Sequence, residues 1–190
     1  TENQFTRGQF WFKNPHSTRH IIGPTAFSLN KGEGYYQNLY LFGQSVNYGI
    51  TPHISVGGGF EIASLIFAQE FPYMFFLTPK IGYELSPKWH AGAGLLYVHI
   101  RNIIDENNNL GIAYGILTYG SYDNNATLGV GWGMHGNLKV DGNTQKTYTD
   151  RGISPRPIIT LSGMTRLSKR FALVTENWIF SMKKETETWD

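Results

Sequence analysis

Seven ionisable side chains fall on or near segments that alternate in polarity, and they are the best candidates to line a polar interior. They are Glu61, Lys80, Glu84, His99, Arg101, Arg166 and Glu176. Because an unpaired charge away from water is costly, we expect opposite charges among them to pair. Such a set forms either a structural plug of salt bridges or a polar constriction that passes small solutes. The sequence does not fix which residues pair.

The sequence gives little support to nucleophilic catalysis or to metal binding. Ser64, His99 and Asp105 have the residue types of a hydrolase triad and fall near one end of the predicted strands, but three such residues arise readily by chance. The six histidines show no HExxH spacing, and there is no cysteine to complete a zinc site. We therefore predict no catalytic residue, no metal and no cofactor.

Segments of about ten residues, each alternating in polarity, must position these side chains. In residues 53–65, Ile54, Val56, Phe60 and Ile62 alternate with His53, Ser55, Gly57, Gly59 and Glu61. A side-chain period of two predicts a strand with one apolar and one polar face. The predicted strands are residues 18–29, 35–50, 53–65, 73–85, 89–101, 110–122, 127–136, 157–167 and 171–182.

The predicted connections alternate between short turns and longer links. Short turns are expected at residues 51–52, 86–88, 123–125 and 168–170, and longer links at 30–34, 66–72, 102–109 and 137–154. This alternation is typical of outer-membrane barrels, which have tight turns at one end and long loops at the other. Nine strands would leave an even-numbered barrel incomplete. We therefore expect about ten strands in the complete barrel, a chain that is incomplete at its C-terminus, and a final strand or strands that are absent from this sequence.

Composition agrees with one domain over residues 1–190. Charged residues make up 16% of the chain and aromatic residues 15%, whereas an ordinary soluble domain has about 25% charged residues. The net charge of +2 gives no support to nucleic-acid binding.

Aromatic residues spread along the strands predict two aromatic girdles at the membrane interfaces. They are Tyr35, Tyr36, Tyr40, Tyr48, Trp89, Tyr97, Tyr114, Tyr119, Trp132 and Trp178.

Several stretches of the sequence are similar to stretches of known proteins. Gly23-Pro24-Thr25-Ala26-Phe27, residues 31–38 and residues 45–51 resemble a group of uncharacterised outer-membrane β-barrel proteins of Bacteroidetes-type bacteria. Residues 55–60 and 78–82 are similar too. The resemblance covers most of the chain and implies a fold and a location. It carries no catalytic residue.

The sequence thus predicts an all-β, antiparallel, up-and-down transmembrane β-barrel in a bacterial outer membrane. Its expected role is structural or that of a narrow pore, and its expected partners are outer-membrane lipid, small solutes or other envelope proteins. One alternative is a soluble β-barrel that binds a hydrophobic ligand, in which the apolar face would point inward. Another is a lipid hydrolase with its site at the rim of the barrel.

Overall fold

The computed structural model describes residues 4–6, 9–11, 14, 17–39, 43–68, 73–101, 107–140 and 147–180. Nine strands form one antiparallel sheet in which every strand pairs with its neighbours in the chain, and two short strands pair separately. The strands are β1 (Gln4–Thr6), β2 (Gln9–Trp11), β3 (Gly34–Leu39), β4 (Gly43–Gly49), β5 (Ile54–Glu61), β6 (Met74–Ser86), β7 (Trp89–Arg101), β8 (Asn107–Gly120), β9 (Asn124–Val140), β10 (Thr147–Arg166) and β11 (Ala172–Phe180). A five-residue π-helical turn, Ser64–Ala68, follows β5. The predicted all-β, antiparallel, up-and-down architecture is confirmed.

The two faces predicted by the alternation are present in the sheet. In β5, Ser55 and Gly57 are buried while Ile54 and Phe60 are 42% and 41% exposed. In β9, Thr127 is 1% exposed and its neighbour Leu128 is 48% exposed. At these positions the inner face of the sheet is therefore polar or glycine-rich, and the outer face carries large apolar side chains.

The predicted strand at residues 18–29 is wrong. These residues belong to an internal segment, defined here as residues 17–30, which lies against the inner face of the sheet and forms no ladder with it. Thr25, Ala26 and Phe27 are each 1% exposed. The segment folds back on itself where the His20 amide donates to the Gly23 carbonyl (2.9 Å) and the Thr25 amide to the Thr18 carbonyl (3.0 Å). Pro24, which has no amide hydrogen, does not favour a continuous ladder at this point.

Two other predicted elements differ in extent. Residues 35–50 form two strands, β3 and β4, paired antiparallel, so one predicted strand is in fact a hairpin. Aromatic residues occur on both faces because Tyr35 and Tyr36 are adjacent in β3, with Tyr35 lining the cavity and Tyr36 exposed.

The predicted link at residues 137–154 is mostly strand. β9 runs to Val140 and β10 begins at Thr147, with a bulge between Ile153 and Pro157. Ladder hydrogen bonds join backbone groups, so polar side chains are compatible with strands that continue past the apolar region. Prolines 155 and 157 lie at the bulge, where a strand tolerates a missing amide hydrogen.

The four predicted short turns each join two consecutive strands at one end of the sheet, which we call the short-turn end: β4 to β5, β6 to β7, β8 to β9 and β10 to β11. In an up-and-down sheet of nine strands, the first and last strands run in the same direction. β3 and β11 therefore cannot pair antiparallel with each other, and no ladder joins these two edge strands in the described part of the chain. The predicted closed barrel is thus observed as a curved sheet, whose two edges both contact the internal segment through Tyr35 on β3 and Glu176 on β11.

Candidate functional site

The inward-facing cation of β6 holds the internal segment by its backbone. Lys80 is buried, and its Nζ donates to the carbonyl oxygens of Thr18 (3.1 Å), Thr25 (2.9 Å) and Phe27 (2.6 Å). An ammonium group has three protons to donate and accepts no hydrogen bond. These three carbonyls therefore satisfy Lys80 completely, without a carboxylate partner.

An inward-facing anion on β11 holds the tip of the same segment. The Glu176 carboxylate accepts hydrogen bonds from the backbone amides of Ile21 (2.9 Å), Ile22 (3.1 Å) and Gly23 (3.0 Å). It also accepts one from Nε1 of Trp178 at 2.7 Å. Consecutive amides that converge on one carboxylate form an anion-binding nest. Glycine at position 23 fits this geometry, because a Cβ there would lie 3.3 Å from the carboxylate.

The expected salt-bridge plug is thus replaced by a different arrangement. Lys80 and Glu176 bind the carbonyl and amide groups of the internal segment and do not pair with each other. The physical reason is that a backbone segment buried without a ladder leaves its own polar groups in need of partners. Charged side chains provide strong hydrogen bonds for those groups.

Neutral side chains of the inner face complete the attachment. The hydroxyl of Thr118, which is 0% exposed, accepts from the Ala26 amide at 2.8 Å and contacts the hydroxyl of Thr127 at 2.8 Å. The ring of His20 donates through Nε2 to Oδ1 of Asn125 at 2.8 Å, because the amide nitrogen of Asn125 is itself a donor to the Ser121 carbonyl. Burial lowers the pKa of His20, and the Asn125 bond and the Glu176 charge act in the opposite direction.

Glycines of the sheet make room for the segment. A Cβ at Gly82 would overlap the carbonyl oxygen of Ala26, and a Cβ at Gly49 would overlap that of Asn30. Gly92 approaches the Cα of Ala26 as well. The inner-face glycines at these positions are therefore required by close contact with a backbone.

A cavity of about 300 Å³ lies between the internal segment and the inner faces of β3–β8 and β11. Tyr35 at one edge of the sheet donates to or accepts from the Thr18 hydroxyl (3.0 Å), and the guanidinium carbon of Arg19 lies 5.9 Å from the Tyr35 ring centroid. Burial lowers the pKa of Arg19, while Tyr35 and Glu176 favour its charged form. The interior thus combines a filled part at the short-turn end with an open part beside it.

The other predicted interior residues have different roles. Glu61 accepts from the Ser64 amide (3.0 Å), the Ser64 hydroxyl and the Tyr73 amide (2.8 Å), so it organises the connection between β5 and β6. Glu84 is exposed. Arg166 forms an ion pair with Asp123 (3.1 Å) at the short-turn end.

His99 and Arg101 belong to the outer face, which corrects their predicted inward orientation. His99 is opposite Phe75 in the ladder, and the two rings contact in a tilted arrangement with centroids 4.9 Å apart. His99 also forms a hydrogen bond with Asn109 at 2.8 Å. Arg101, two residues further along β7, has the same parity and is exposed. The alternation of the strand fixes both, because Lys80 and Gly94 define the inner face of the β6–β7 pair.

The hypothetical hydrolase triad is not assembled in the part of the chain that the structure describes. The Ser64 hydroxyl bonds to Glu61 and His99 bonds to Asn109, and no hydrogen bond between Ser64 and His99 is found. Asp105 lies outside the described residues.

Sequence analysis missed Thr118, Asn125 and Gln37, which are all buried polar residues of the inner face. Asn125 continues the alternation of Thr127 on β9, so that strand could have identified it. Thr118 shares the face of Ile112 and Ile116, which the sequence predicts to be the apolar side of its strand, so the alternation gives no signal for it.

Within the described ranges, no helix is long and apolar enough to cross a membrane, and no three His, Asp or Glu side chains are grouped to hold a metal ion. Comparison with protein-family models, with curated proteins and with solved structures found no match for this chain.

Proposed function

We propose that this chain is an integral β-barrel-type protein of a bacterial outer membrane, with a lipid-facing outer surface and an interior closed by the internal segment. Its role is that of a structural barrel or a narrow pore whose passage depends on that segment. The observation that carries the proposal is the exposed apolar outer face.

Large apolar side chains are exposed on every strand from β3 to β11, whereas soluble monomers rarely expose contiguous apolar patches beyond a few hundred Å². Examples at outward positions are Tyr36, Val46, Phe60, Leu77, Trp89, Leu117, Leu128, Leu161 and Ile179. Complete burial of such a side chain contributes roughly 1.5–3 kcal/mol, and because these side chains are about half exposed, each would gain roughly half of that in an apolar surrounding. Summed over nine strands, the outer face favours an apolar surrounding.

The soluble ligand-binding barrel predicts the opposite orientation. It requires Ile54 and Phe60 to point into the interior, but both are exposed. Ser45, Ser55 and Ser162, each next to an exposed apolar residue, are buried instead. At these positions the orientation favours the membrane hypothesis, whereas Ile112 and Ile116 on β8 point into the interior.

Outer aromatic residues near the short-turn end also support it. Trp89 and Tyr119 pair across β7 and β8 with ring centroids 4.9 Å apart, and Tyr48 and Tyr83 lie close to neighbouring turns. Tyr97 follows Trp89 by eight residues on the same strand (97 − 89), which is about 27 Å along an extended strand. A strand tilted by about 40° would separate the two by roughly 20 Å along the barrel axis, comparable to the height of about 25 Å between girdles.

Nitroxide labelling tests the lipid-facing surface. The chain contains no cysteine, so single cysteines introduced at Leu128 and Leu161 label uniquely. In phosphatidylcholine vesicles we expect both labels to collide more often with oxygen, which concentrates in lipid, than with an aqueous nickel chelate. A label at Lys88, an exposed residue of a short turn, is the matched control and should prefer the nickel chelate. Equal preference for nickel at all three sites would refute the proposal.

Closure of the interior is tested by conductance. The full chain in a planar bilayer should show a conductance that rises when the internal segment is detached, for instance by the Gly82→Ala substitution considered in the Discussion. A wide, constant conductance of the unmodified protein would contradict a closed interior.

A further inference from the structure

The cavity of about 300 Å³ has the size of a small ligand site, at the lower end of the range of about 300–1,000 Å³ for such pockets. The internal segment fills the interior at the short-turn end but does not fill this cavity. Closing the interior therefore does not account for it. Its lining, charge and unsatisfied groups indicate what it would bind.

Two walls of different chemistry enclose the cavity. Apolar side chains come mainly from β6, β7 and β8, and they include Phe76, Leu96, Val98 and Ile112. Polar side chains come from β4, β5 and β6, and they include Ser45, Asn47, Ser55 and Thr78. A ligand that satisfies both walls is amphipathic.

The charges of the lining favour an anion. Arg19 and Lys80 contribute to the cavity wall, and no Asp or Glu side chain is among its described lining residues. Lys80 already donates to three carbonyls, so among the described lining residues Arg19 is the cation available to a ligand. The charge of Glu176, which is bonded to the backbone of the internal segment, favours the charged form of Arg19. Among the described residues, Nε of Arg19 is buried without a hydrogen-bond partner.

A second buried polar group of the lining is also unsatisfied. Gln37 is 9% exposed, lines the cavity, and its Oε1 has no hydrogen-bond partner within the described part of the chain. Buried polar atoms without partners are uncommon in proteins and call for a missing ligand or water. Because an amide exchanges oxygen and nitrogen by rotation, Gln37 offers either an acceptor or a donor to such a ligand.

We propose that the cavity binds a single-chain amphipathic carboxylate, a fatty acid of medium chain length. Its carboxylate lies against the Arg19 guanidinium and the Gln37 amide, and its alkyl chain packs on the apolar wall. The volume accommodates one short chain and excludes a two-chain phospholipid. The ligand enters between the edges β3 and β11, where Tyr35 and Trp178 line the cavity and the described strands form no ladder across the gap.

Quenching of Trp178 by ω-bromoundecanoate tests the proposal, because bromine quenches indole fluorescence on contact. The experiment uses the full chain in phosphatidylcholine vesicles. We expect a saturable component of quenching that unbrominated undecanoate competes away and that Trp178→Phe abolishes. Outer tryptophans such as Trp89 contribute a background that rises linearly with the quencher in the bilayer, and this background remains in the variant.

Two comparisons test the role of charge. Arg19→Gln should weaken binding of the carboxylate by about tenfold or more, since a hydrogen bond to a charged group is lost. The neutral ω-bromoundecanol should bind the unmodified protein about as weakly as the carboxylate binds the Arg19→Gln variant. Arg170→Gln, an exposed residue of a short turn, is the matched control and should bind like the unmodified protein.

Since Arg19 belongs to the internal segment, a second variant keeps the test independent of that segment. Val98→Phe fills the apolar wall from β7 and should abolish saturable quenching while the segment stays attached, as judged by slow amide exchange at Ala26. The proposal is overturned if quenching is linear throughout, or if the alcohol binds as tightly as the carboxylate. It is also overturned if Val98→Phe leaves binding unchanged. These results leave the labelling of Leu128 and Leu161 unaffected, so the ligand site and the membrane location are tested separately.

Discussion

Lys80 and Glu176 bind opposite kinds of backbone group in one internal segment: Lys80 donates to three of its carbonyls and Glu176 accepts from three consecutive amides. One residue lies on β6 and the other on the edge strand β11, so the segment connects distant parts of the sheet. Loss of either charge should therefore release a different part of the segment.

Lys80→Met should release the body of the internal segment. The substitution preserves much of the side-chain length but leaves the carbonyls of Thr18, Thr25 and Phe27 without their shared donor. We expect a loss of stability of at least about 2 kcal/mol, since each buried group without a partner costs about 1–3 kcal/mol. Thermal unfolding and bilayer conductance measure the effect, and conductance should rise. Lys88→Met, at an exposed turn, is the control; an equally small effect of both substitutions would show that Lys80 does not hold the segment.

Glu176→Gln should loosen only the tip of the segment. The neutral amide has a single oxygen acceptor, so it cannot replace a carboxylate that accepts from three amides. Hydrogen exchange should become faster by about tenfold or more at Ile21, Ile22 and Gly23, corresponding to about 1.4 kcal/mol or more of lost protection. Exchange at Ala26, whose amide donates to Thr118, should stay slow. Uniform acceleration along the whole segment would contradict separate anchoring.

Acid should weaken attachment through His20. Burial lowers the pKa of His20, so the unfolded or detached state binds a proton more readily than the docked state. The stabilisation is complete above the ordinary histidine pKa of about 6.5 and is lost as the pH falls below it, by at most about 1.4 kcal/mol per pH unit. Protonation would also place a charged donor at Nδ1, which has no partner among the described residues.

His20→Gln is the variant that isolates this effect. Glutamine can still donate to Asn125 but does not titrate. Thermal stability measured between pH 8 and pH 5 should therefore fall less in the variant than in the unmodified protein. Identical pH profiles would assign the acid sensitivity to other groups.

Gly82→Ala should displace the internal segment by steric overlap. A methyl group at position 82 would meet the Ala26 carbonyl oxygen, and backbone on both sides gives little room to adjust. Overpacking of this kind typically costs about 1–3 kcal/mol. We expect a lower unfolding temperature and a higher bilayer conductance.

The matched control is Gly115→Ala on β8. A Cβ there meets nothing within 4 Å, so the substitution should be neutral or slightly stabilising. If the two alanine variants were equally stable and equally conductive, close packing of the segment against β6 would be refuted.

The sequence predicted the strands best where one side of the alternation was clearly apolar. Residues such as Ile54 and Leu128 identified β5 and β9. Prolines and short runs of polar residues between consecutive strands identified the short turns. It failed at residues 35–50, where two short strands were taken as one, and at residues 137–154, where polar strands were taken as a link. In both places the ladder depends on a neighbouring backbone, and the side-chain pattern gives weak information about it.

The sequence by itself determined which side chains of each strand share a face, because the period of two is a local property of an extended backbone. Tertiary structure alone decided that residues 17–30 enter the interior and that Lys80 and Glu176 bind backbone rather than each other. A buried charge takes whatever partner the fold brings within hydrogen-bond distance. That partner lies more than fifty residues away from Lys80 and more than 150 from Glu176, so no local pattern could identify it.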